Sequence, residues 1–252
     1  MTDSPPRHSL VIPAFNEAAL LPRLLDTVDR ARSHYRRGPD AVEVIVADNG
    51  STDATARIAL ARGCRVVAVA KRVIGAARNA GAAVARGDIL AFVDADAQIH
   101  ADTFNEIDRV LADATVIGGA TSIRFERQSA GLKCTYILLV VAGVLLRGAR
   151  GVRDLNVDTG VVFCGRDDFK AVGGYREDRL FAEDVQFLLD LQRLGRRRGR
   201  RITRGTNAKT IFSTRKFDRY GDWHYFTMPP RLIWGMLRGR PELARGYWYE
   251  GR

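Results

Sequence analysis

The alternation of short apolar segments with helix-like segments in the first 112 residues constrains the fold most. Strands that alternate with helices of this size favour a mostly parallel sheet covered by helices on both faces. We therefore predict an α/β fold. The predicted strands are residues 10–12, ended by Pro13, and 42–47, 65–69 and 89–93. The predicted helices are residues 17–32, 53–61 (capped by Ser51 or Thr52), 76–85 and 102–111.

The second half of the chain is less regular. We expect strands within residues 115–123, at 161–164, and as two short segments around Ile202 and Ile211. Predicted helices are the apolar run 137–146, residues 166–172 ended by Gly173, and 182–194 ended by Gly195. No repeat or linker divides the chain, so one domain over residues 1–252 is expected.

The net charge of the chain, +11, indicates an anionic partner such as nucleic acid, a phosphorylated substrate or anionic lipid. Its three cysteines are far apart and odd in number, which favours a reducing compartment over a disulfide framework. The polar N-terminus does not resemble a signal peptide, and no apolar run reaches the roughly 20 residues that span a bilayer. We therefore expect a cytoplasmic protein.

Two aspartates, Asp94 and Asp96, follow the apolar segment 89–93. Because side chains alternate along a strand, the two carboxylates should point the same way and repel each other. A divalent cation such as Mg²⁺ or Mn²⁺ would relieve that repulsion. Aspartates also end strands and begin turns, and these two residues alone leave both interpretations open.

Further polar residues occur at other predicted strand ends and helix starts. Residues 13–17 and 48–51 fall at the same sheet edge as Asp94, where α/β proteins bind ligands. Asp48 suits either a capped turn or a contact with a base or ribose. Arg78 suits a base carbonyl or phosphate, or a solvated surface. Glu183 and Asp184 suit a helix dipole or a general base.

Six segments together resemble the family 2 glycosyltransferases, which have the GT-A fold with a Rossmann-like central sheet. The resemblance covers roughly residues 8–195. It implies a nucleotide-sugar-binding half at about 8–112 and a less regular acceptor half, with a basic tail, at about 113–252. The matching segments are residues 11–17, 46–53, 78–81, 87–96, 159–175 and 183–184.

The resemblance implies metal-dependent sugar transfer from a UDP- or GDP-sugar to a hydroxyl acceptor, usually with inversion. It places Mn²⁺ or Mg²⁺ on Asp96, with Asp94 as a second ligand near the ribose and diphosphate. Asp184 corresponds to the base, with Glu183 beside it. The implied base and ribose contacts are Pro13, Ala14, Asn16, Glu17, Asp48 and Arg78.

Charge on a departing diphosphate also needs cations, and Arg215 and Lys216 could supply them from a closing loop. His224 could complete the metal shell, contact the acceptor or be structural. The apolar run 137–146, flanked by basic residues, suits docking on the cytoplasmic face of a membrane and a lipid-linked acceptor in cell-envelope synthesis. It equally suits packing on the sheet or in a homodimer, with a saccharide as acceptor.

Two other classes of protein remain as alternatives. A sugar nucleotidyltransferase also uses paired aspartates, but it should carry a glycine-rich loop with a lysine near the first strand, and residues 13–17 differ from that. A basic nucleic-acid or membrane-surface binding module would explain the charge but not the ordered acidic motifs, so nucleic acid is the less favoured partner.

Overall fold

The computed structural model describes residues 5–134, 137, 159–178 and 183–223. In this part of the chain, one sheet contains β1 His8–Ala14, β2 Val42–Asp48, β3 Arg65–Ala68, β4 Ile89–Phe92, β5 Val116–Phe125, β6 Val162–Gly165 and β7 Arg201–Phe212. The helices with defined ends are α1 Leu21–His34, α2 Thr55–Ala61, α3 Ile74–Val84, α4 Thr103–Leu111, α5 Arg166–Val172, α6 Glu183–Arg197 and α7 Arg215–Tyr220.

The strand order in the sheet is β3-β2-β1-β4-β6-β5-β7. Every neighbouring pair is parallel except the two that involve β6, which runs antiparallel to β4 and β5. The predicted mostly parallel α/β fold is therefore confirmed. Strands from both halves of the chain share this one sheet, while a single domain over residues 1–252 stays a prediction.

Buried side chains on successive residues of β1 pack on opposite faces of the sheet. Leu10 and Ile12 belong to one core with α1 and α4, whereas Val11 belongs to a second core with α6. All three side chains are fully buried. Because both faces are covered, ligands can reach the central strands only at their ends.

Two predicted chain stops are wrong. Pro13 does not end β1, which continues to Ala14; the pairing of β1 with β4 ends at Val11, so Pro13 has only β2 as a neighbour and its missing N–H is tolerated. Gly195 does not end α6, which continues to Arg197. The carbonyl oxygen of Arg200 would lie 2.7 Å from a Cβ at Gly195, so this glycine serves a close approach.

Two further details differ from prediction. The segments around Ile202 and Ile211 form one strand, β7, with a register shift against β5 between Thr121 and Ile123. Helix α2 begins after Ala54, and neither Ser51 nor Thr52 caps it. By contrast, Gly173 ends α5 as predicted, with a left-handed φ of 86°.

The apolar run 137–146 lies outside the described residues except for Ile137, whose side chain is exposed. Within the described ranges, no helix combines the length and apolar character needed to cross a bilayer. The membrane-docking and homodimer hypotheses therefore stay predictions.

Candidate active site

Polar segments follow four strands at the carboxyl edge of the sheet. β1 leads into Asn16 and Glu17, β2 ends at Asp48, β4 precedes Asp94 and Asp96, and β7 precedes Arg215. Because these strands are parallel and share one sheet, their ends lie at one edge. The structure thus brings together the strand-end residues predicted for the site. Pro13 and Ala14 are buried within β1 beneath this edge.

The loops after β1 and β2 are locked to each other by hydrogen bonds. Asn16 has a left-handed φ of 52°; its backbone N–H donates to Ser51 Oγ at 2.9 Å, and its side-chain oxygen accepts from Thr52 N–H at 2.8 Å. Glu17 N–H donates to Thr55 Oγ1 at 2.8 Å. Asp48 Oδ1 accepts from Ser51 N–H at 3.2 Å. The two loops therefore form one preorganised surface, residues 13–17 and 48–52, which we call the ledge. Its contacts with a base or ribose stay predictions.

The guanidinium of Arg78 is the centre of the second part of the site. Nη2 contacts Asp94 Oδ1 at 2.7 Å and Nη1 contacts Glu183 Oε1 at 2.6 Å. Asp184 Oδ2 accepts a hydrogen bond from Nη2 at 3.2 Å, and Asp184 Oδ1 forms an ion pair with Nη1 at 2.9 Å. One buried cation therefore joins the end of β4 to the start of α6, whose two acidic residues lie 105 and 106 positions after Arg78 in the sequence.

Arg78 is held in place by its neighbours as well as by charge. Its side chain is 2% exposed, and its guanidinium carbon lies 5.0 Å from the ring centroid of Tyr175. The next residue, Asn79, fixes Tyr175 by donating to its carbonyl oxygen and accepting from its N–H, both at 2.8 Å. Burial lowers the pKa of Arg78, but the three carboxylates outweigh it and raise that pKa further above its usual range.

The carboxyl group of Asp184 is poised to exchange a proton near neutral pH. Burial raises its pKa to about 7, because the ionised form loses its hydration. The positive charge of Arg78 opposes this shift, while Glu183 and Asp94 add to it. A buried carboxyl group with such a pKa has the chemistry of a general base at physiological pH.

Arg215 forms a second bridge between acidic residues. Its guanidinium contacts Glu17 in a bidentate manner, at 2.9 and 3.0 Å, and Asp96 Oδ2 at 3.1 Å. Arg215 is the first residue of helix α7 and not part of the predicted closing loop, and its role toward a leaving diphosphate stays a prediction. The neighbouring Lys216 lies in α7, but its side chain is outside the described residues, as is all of His224.

The oxygen chemistry of Asp94 and Asp96 fits a hard divalent cation. Each carboxylate already has one oxygen in contact with an arginine. In the described ranges, no group of three or more His, Cys, Asp or Glu side chains is arranged to hold a metal. Mg²⁺ commonly binds one or two carboxylates and takes its remaining ligands from substrate phosphates and water. The residues therefore fit a metal shared with a phosphorylated ligand, not an all-protein site.

Two features of the site were missed from the sequence. Tyr175 lies in the matching segment 159–175, but no sequence pattern predicts that its ring packs against the guanidinium of Arg78. The pairing of Glu17 with Arg215 joins residues 198 positions apart. The sequence did offer one signal, since several acidic motifs at one sheet edge need cations beside them. That signal does not specify which arginine pairs with which carboxylate.

Sequence comparison supports a family assignment for the N-terminal part. Residues 9–132 match the sequence model of the family described as Glycosyl transferase family 2. A dolichyl-phosphate beta-glucosyltransferase from Trichomonas vaginalis is 23% identical over 201 residues, which are 74% of this chain and 62% of that protein. An undecaprenyl-phosphate 4-deoxy-4-formamido-L-arabinose transferase from Pseudomonas aeruginosa is 38% identical over 128 residues, or 48% of this chain and 36% of that protein. The chain thus spans less than two thirds of either relative.

Structural comparison supports the fold. A mannosyltransferase from Pyrobaculum calidifontis, solved in complex with GDP-Man and Mn²⁺, superposes with a TM-score of 0.62 and 20% sequence identity. The match covers 96% of this chain and 70% of that one. Residues 9–132 therefore belong to glycosyl transferase family 2, and the described part of the chain has the GT-A fold.

Proposed function

We propose that this protein is a glycosyltransferase that moves a sugar from a nucleoside-diphosphate donor to an acceptor oxygen, with inversion at the anomeric carbon. The family of residues 9–132 supports the reaction class. The observation that carries the proposal is the Arg78 cluster, which joins Asp94 of the proposed donor side to Asp184, the proposed base. A nucleotidyltransferase or a basic binding module has no need of this connection.

In the proposed reaction, the ledge formed by residues 13–17 and 48–52 binds the base and ribose of a UDP- or GDP-sugar. Asp94 would lie beside the ribose and diphosphate, and Asp96 would hold Mn²⁺ or Mg²⁺. When bound, such a cation stabilises the negative charge that the diphosphate gains as it leaves. Arg215, at the same edge, adds a second positive charge to the leaving group.

Asp184 is the proposed base for the acceptor hydroxyl. In-line displacement requires the base on the face of the sugar opposite the diphosphate, and Asp184 comes from α6, a different element from the donor loops. Its pKa of about 7 lets it accept a proton at neutral pH. We propose that Arg78 acts mainly by orienting this carboxylate, because both of its terminal nitrogens are already in contact with protein oxygens.

The names of the two relatives favour a second acceptor class, a polyprenyl phosphate in cell-envelope or lipid-linked glycan synthesis. A phosphate monoester is already anionic at neutral pH, since its second pKa is about 6. Such an acceptor needs no base, whereas a saccharide hydroxyl does. The raised pKa of Asp184 therefore favours a hydroxyl, and the relatives favour a lipid phosphate.

A lipid acceptor would also require contact with a membrane surface. The net charge of +11 supports peripheral binding to anionic lipid, since basic residues near such a surface contribute about 1 kcal/mol each. Flotation with liposomes that contain anionic lipid tests this contact at low salt. Recovery of the protein in the bottom fraction would refute it.

The donor proposal is tested by a thermal-shift panel of UDP-, GDP- and dTDP-sugars with Mn²⁺. One nucleotide class should raise the melting temperature, because a ligand that binds only the folded state stabilises it. The same ligand should give a smaller shift with Asp96→Asn and without Mn²⁺. If no nucleotide sugar stabilises the wild-type protein, the proposed donor class is wrong.

A further inference from the structure

Arg215 forms an ion pair with Asp96, the carboxylate that is proposed to bind the metal. Its guanidinium lies 3.1 Å from Asp96 Oδ2 and makes two further contacts with Glu17 at 2.9 and 3.0 Å. The three residues follow the ends of β7, β4 and β1, respectively, and Arg215 is the first residue of α7. This bridge therefore connects the proposed metal ligand to the ledge proposed for the nucleotide.

The two carboxylates in this bridge differ in exposure. The side chain of Glu17 is 2% exposed, that of Asp96 is 17% exposed, and that of Arg215 is 35% exposed. Glu17 is thus the buried anchor, and its bidentate contact is the stronger geometry. Arg215 meets the more exposed Asp96 through one nitrogen only, and that contact is the one that a competing cation can replace.

A guanidinium and a divalent cation compete for the same carboxylate, because like charges at contact distance repel each other. A diphosphate reverses this competition. Its oxygens accept the planar fork of an arginine well, so they offer Arg215 an alternative to Asp96. Binding of a nucleoside diphosphate would therefore draw Arg215 away from Asp96 and leave this carboxylate open to the divalent cation.

We propose that Arg215 is a positioning residue that makes the binding of the divalent cation and of the diphosphate interdependent. Without nucleotide, it neutralises Asp96 and keeps metal affinity low. With nucleotide, it moves from Asp96 to the diphosphate while the cation takes the carboxylate. This inference rests on the proposed function, because it takes a nucleoside diphosphate as the ligand.

The test is a calorimetric titration of Mn²⁺ into the full chain, first alone and then with saturating UDP or GDP, whichever binds. Arg215→Gln should bind Mn²⁺ alone at least about 5-fold more tightly than wild type, and Mn²⁺ with nucleotide at least about 5-fold more weakly. Arg215→Lys keeps the positive charge but loses the planar fork of the guanidinium. In each titration its Mn²⁺ affinity should lie between those of wild type and Arg215→Gln. This opposite sign in the two titrations is not expected from a purely structural role.

The matched control is Arg127→Gln. Arg127 also bridges two carboxylates, Asp218 and Asp222, but on an exposed surface. This variant should leave both Mn²⁺ affinities unchanged. Because Arg215→Gln also removes the partner of buried Glu17, the double variant Glu17→Gln/Arg215→Gln provides a second measurement and should still bind Mn²⁺ alone more tightly than wild type.

The outcomes separate this inference from the proposed function. If Arg215→Gln binds Mn²⁺ alone no more tightly than wild type, or if neither binds it measurably, the competition at Asp96 is absent and the inference is overturned. If the variant binds Mn²⁺ alone more tightly but no nucleoside diphosphate binds either protein, the competition holds, while both the proposed donor class and the interdependence fail.

Discussion

Both edges of the sheet carry clusters of titratable side chains. Hydrogen-bond donors outnumber carboxylates in one cluster, and carboxylates outnumber cations in the other. The amino edge is the one at which β1 begins. There the carboxylate of Asp108 accepts a hydrogen bond from Tyr35 Oη at 2.6 Å and is hydrogen-bonded to His8 Nε2 at 3.1 Å. Arg7 and Arg37 also lie within 3.7 Å of it. Several donors therefore share Asp108, and Arg7 also donates to Asp88 Oδ2 at 3.3 Å.

At the carboxyl edge, two guanidiniums contact five carboxylates among the described side chains. In the amino-edge cluster the donors exceed what Asp108 can accept, and the buried Arg7 Nε and His8 Nδ1 make no hydrogen bond within the described part of the chain. Among the described contacts, the carboxyl-edge cluster sets five carboxylates against two arginines, an arrangement that protons or bound cations would stabilise further. The difference separates a structural cluster from a candidate active site. The carboxyl-edge residues are Arg78 with Asp94, Glu183 and Asp184, and Arg215 with Glu17 and Asp96.

The largest expected effect follows from removing the proposed base. Asp184→Asn should reduce turnover by about 10²–10⁴-fold and leave nucleotide affinity intact, because it removes proton transfer and keeps the shape of the side chain. The measurement is release of UDP or GDP from the donor found in the thermal-shift panel, with water as the accepting hydroxyl. Asp190→Asn, on the same helix, is the matched control and should retain wild-type turnover.

The same variant distinguishes the two acceptor classes. With a polyprenyl phosphate as acceptor, Asp184→Asn should transfer sugar at close to the wild-type rate, since that oxygen needs no deprotonation. Near-normal turnover with hydroxyl acceptors as well would contradict the assignment of Asp184 as a base.

The next effect concerns the central cation of the carboxyl-edge cluster. Arg78→Gln should lower the free energy of unfolding by about 3–5 kcal/mol, because it leaves buried carboxylates without their cation. Urea denaturation measures the change. Arg86→Gln removes an arginine whose side chain is 68% exposed, and it should cost less than about 1 kcal/mol because its partner Glu43 keeps hydrogen bonds from Ser9 Oγ and Gly87 N–H. Equal stability of the two variants would show that Arg78 is not the cation that holds the cluster.

A smaller effect is expected at the amino edge. Asp108→Asn should lower the free energy of unfolding by about 1.5–3 kcal/mol, the range for hydrogen bonds to a charged group. Nucleotide affinity should not change, since Asp108 lies at the opposite edge of the sheet from the candidate site. Denaturation and calorimetric titration of the same sample measure both quantities. A marked loss of nucleotide binding would contradict the separation of the two edges.

The smallest effect is the pH dependence of stability. Burial lowers the pKa of His8, with Arg7, Tyr35, Arg37 and Asp108 facing the ring, so stability is lost as pH falls below the unfolded value of about 6.5. The pKa of Asp184 is raised from 3.8 to about 7, so stability is gained as pH falls through that interval.

The two contributions oppose each other as pH falls below about 6.5, where the unfolded His8 begins to take up a proton and Asp184 is already stabilising the folded state. Asp184→Asn removes one of them and should make the loss of stability on acidification steeper by up to about 1.4 kcal/mol per pH unit. The measurement is urea denaturation at several pH values. Parallel pH profiles for wild type and variant would contradict the raised pKa of Asp184.

The order of strands and helices in the first half could be predicted because periodicity is a local property. Strands β1 to β4 and helices α2 to α4 appear within a few residues of their predicted bounds. The errors at Pro13 and Gly195 have one cause. Whether a proline or glycine ends an element depends on its neighbours in the sheet or on a close backbone approach, and these come from distant parts of the chain.

The sequence by itself determined the α/β class, the polar strand ends and the acidic residues of the candidate site. Only the tertiary structure decided that Arg78 meets Asp94, Glu183 and Asp184, and that Arg215 meets Glu17 and Asp96. The physical reason is that strand formation depends on side chains that are close in sequence. Ion pairing depends on burial, because a buried charge loses its water and can interact only with the groups that folding places beside it.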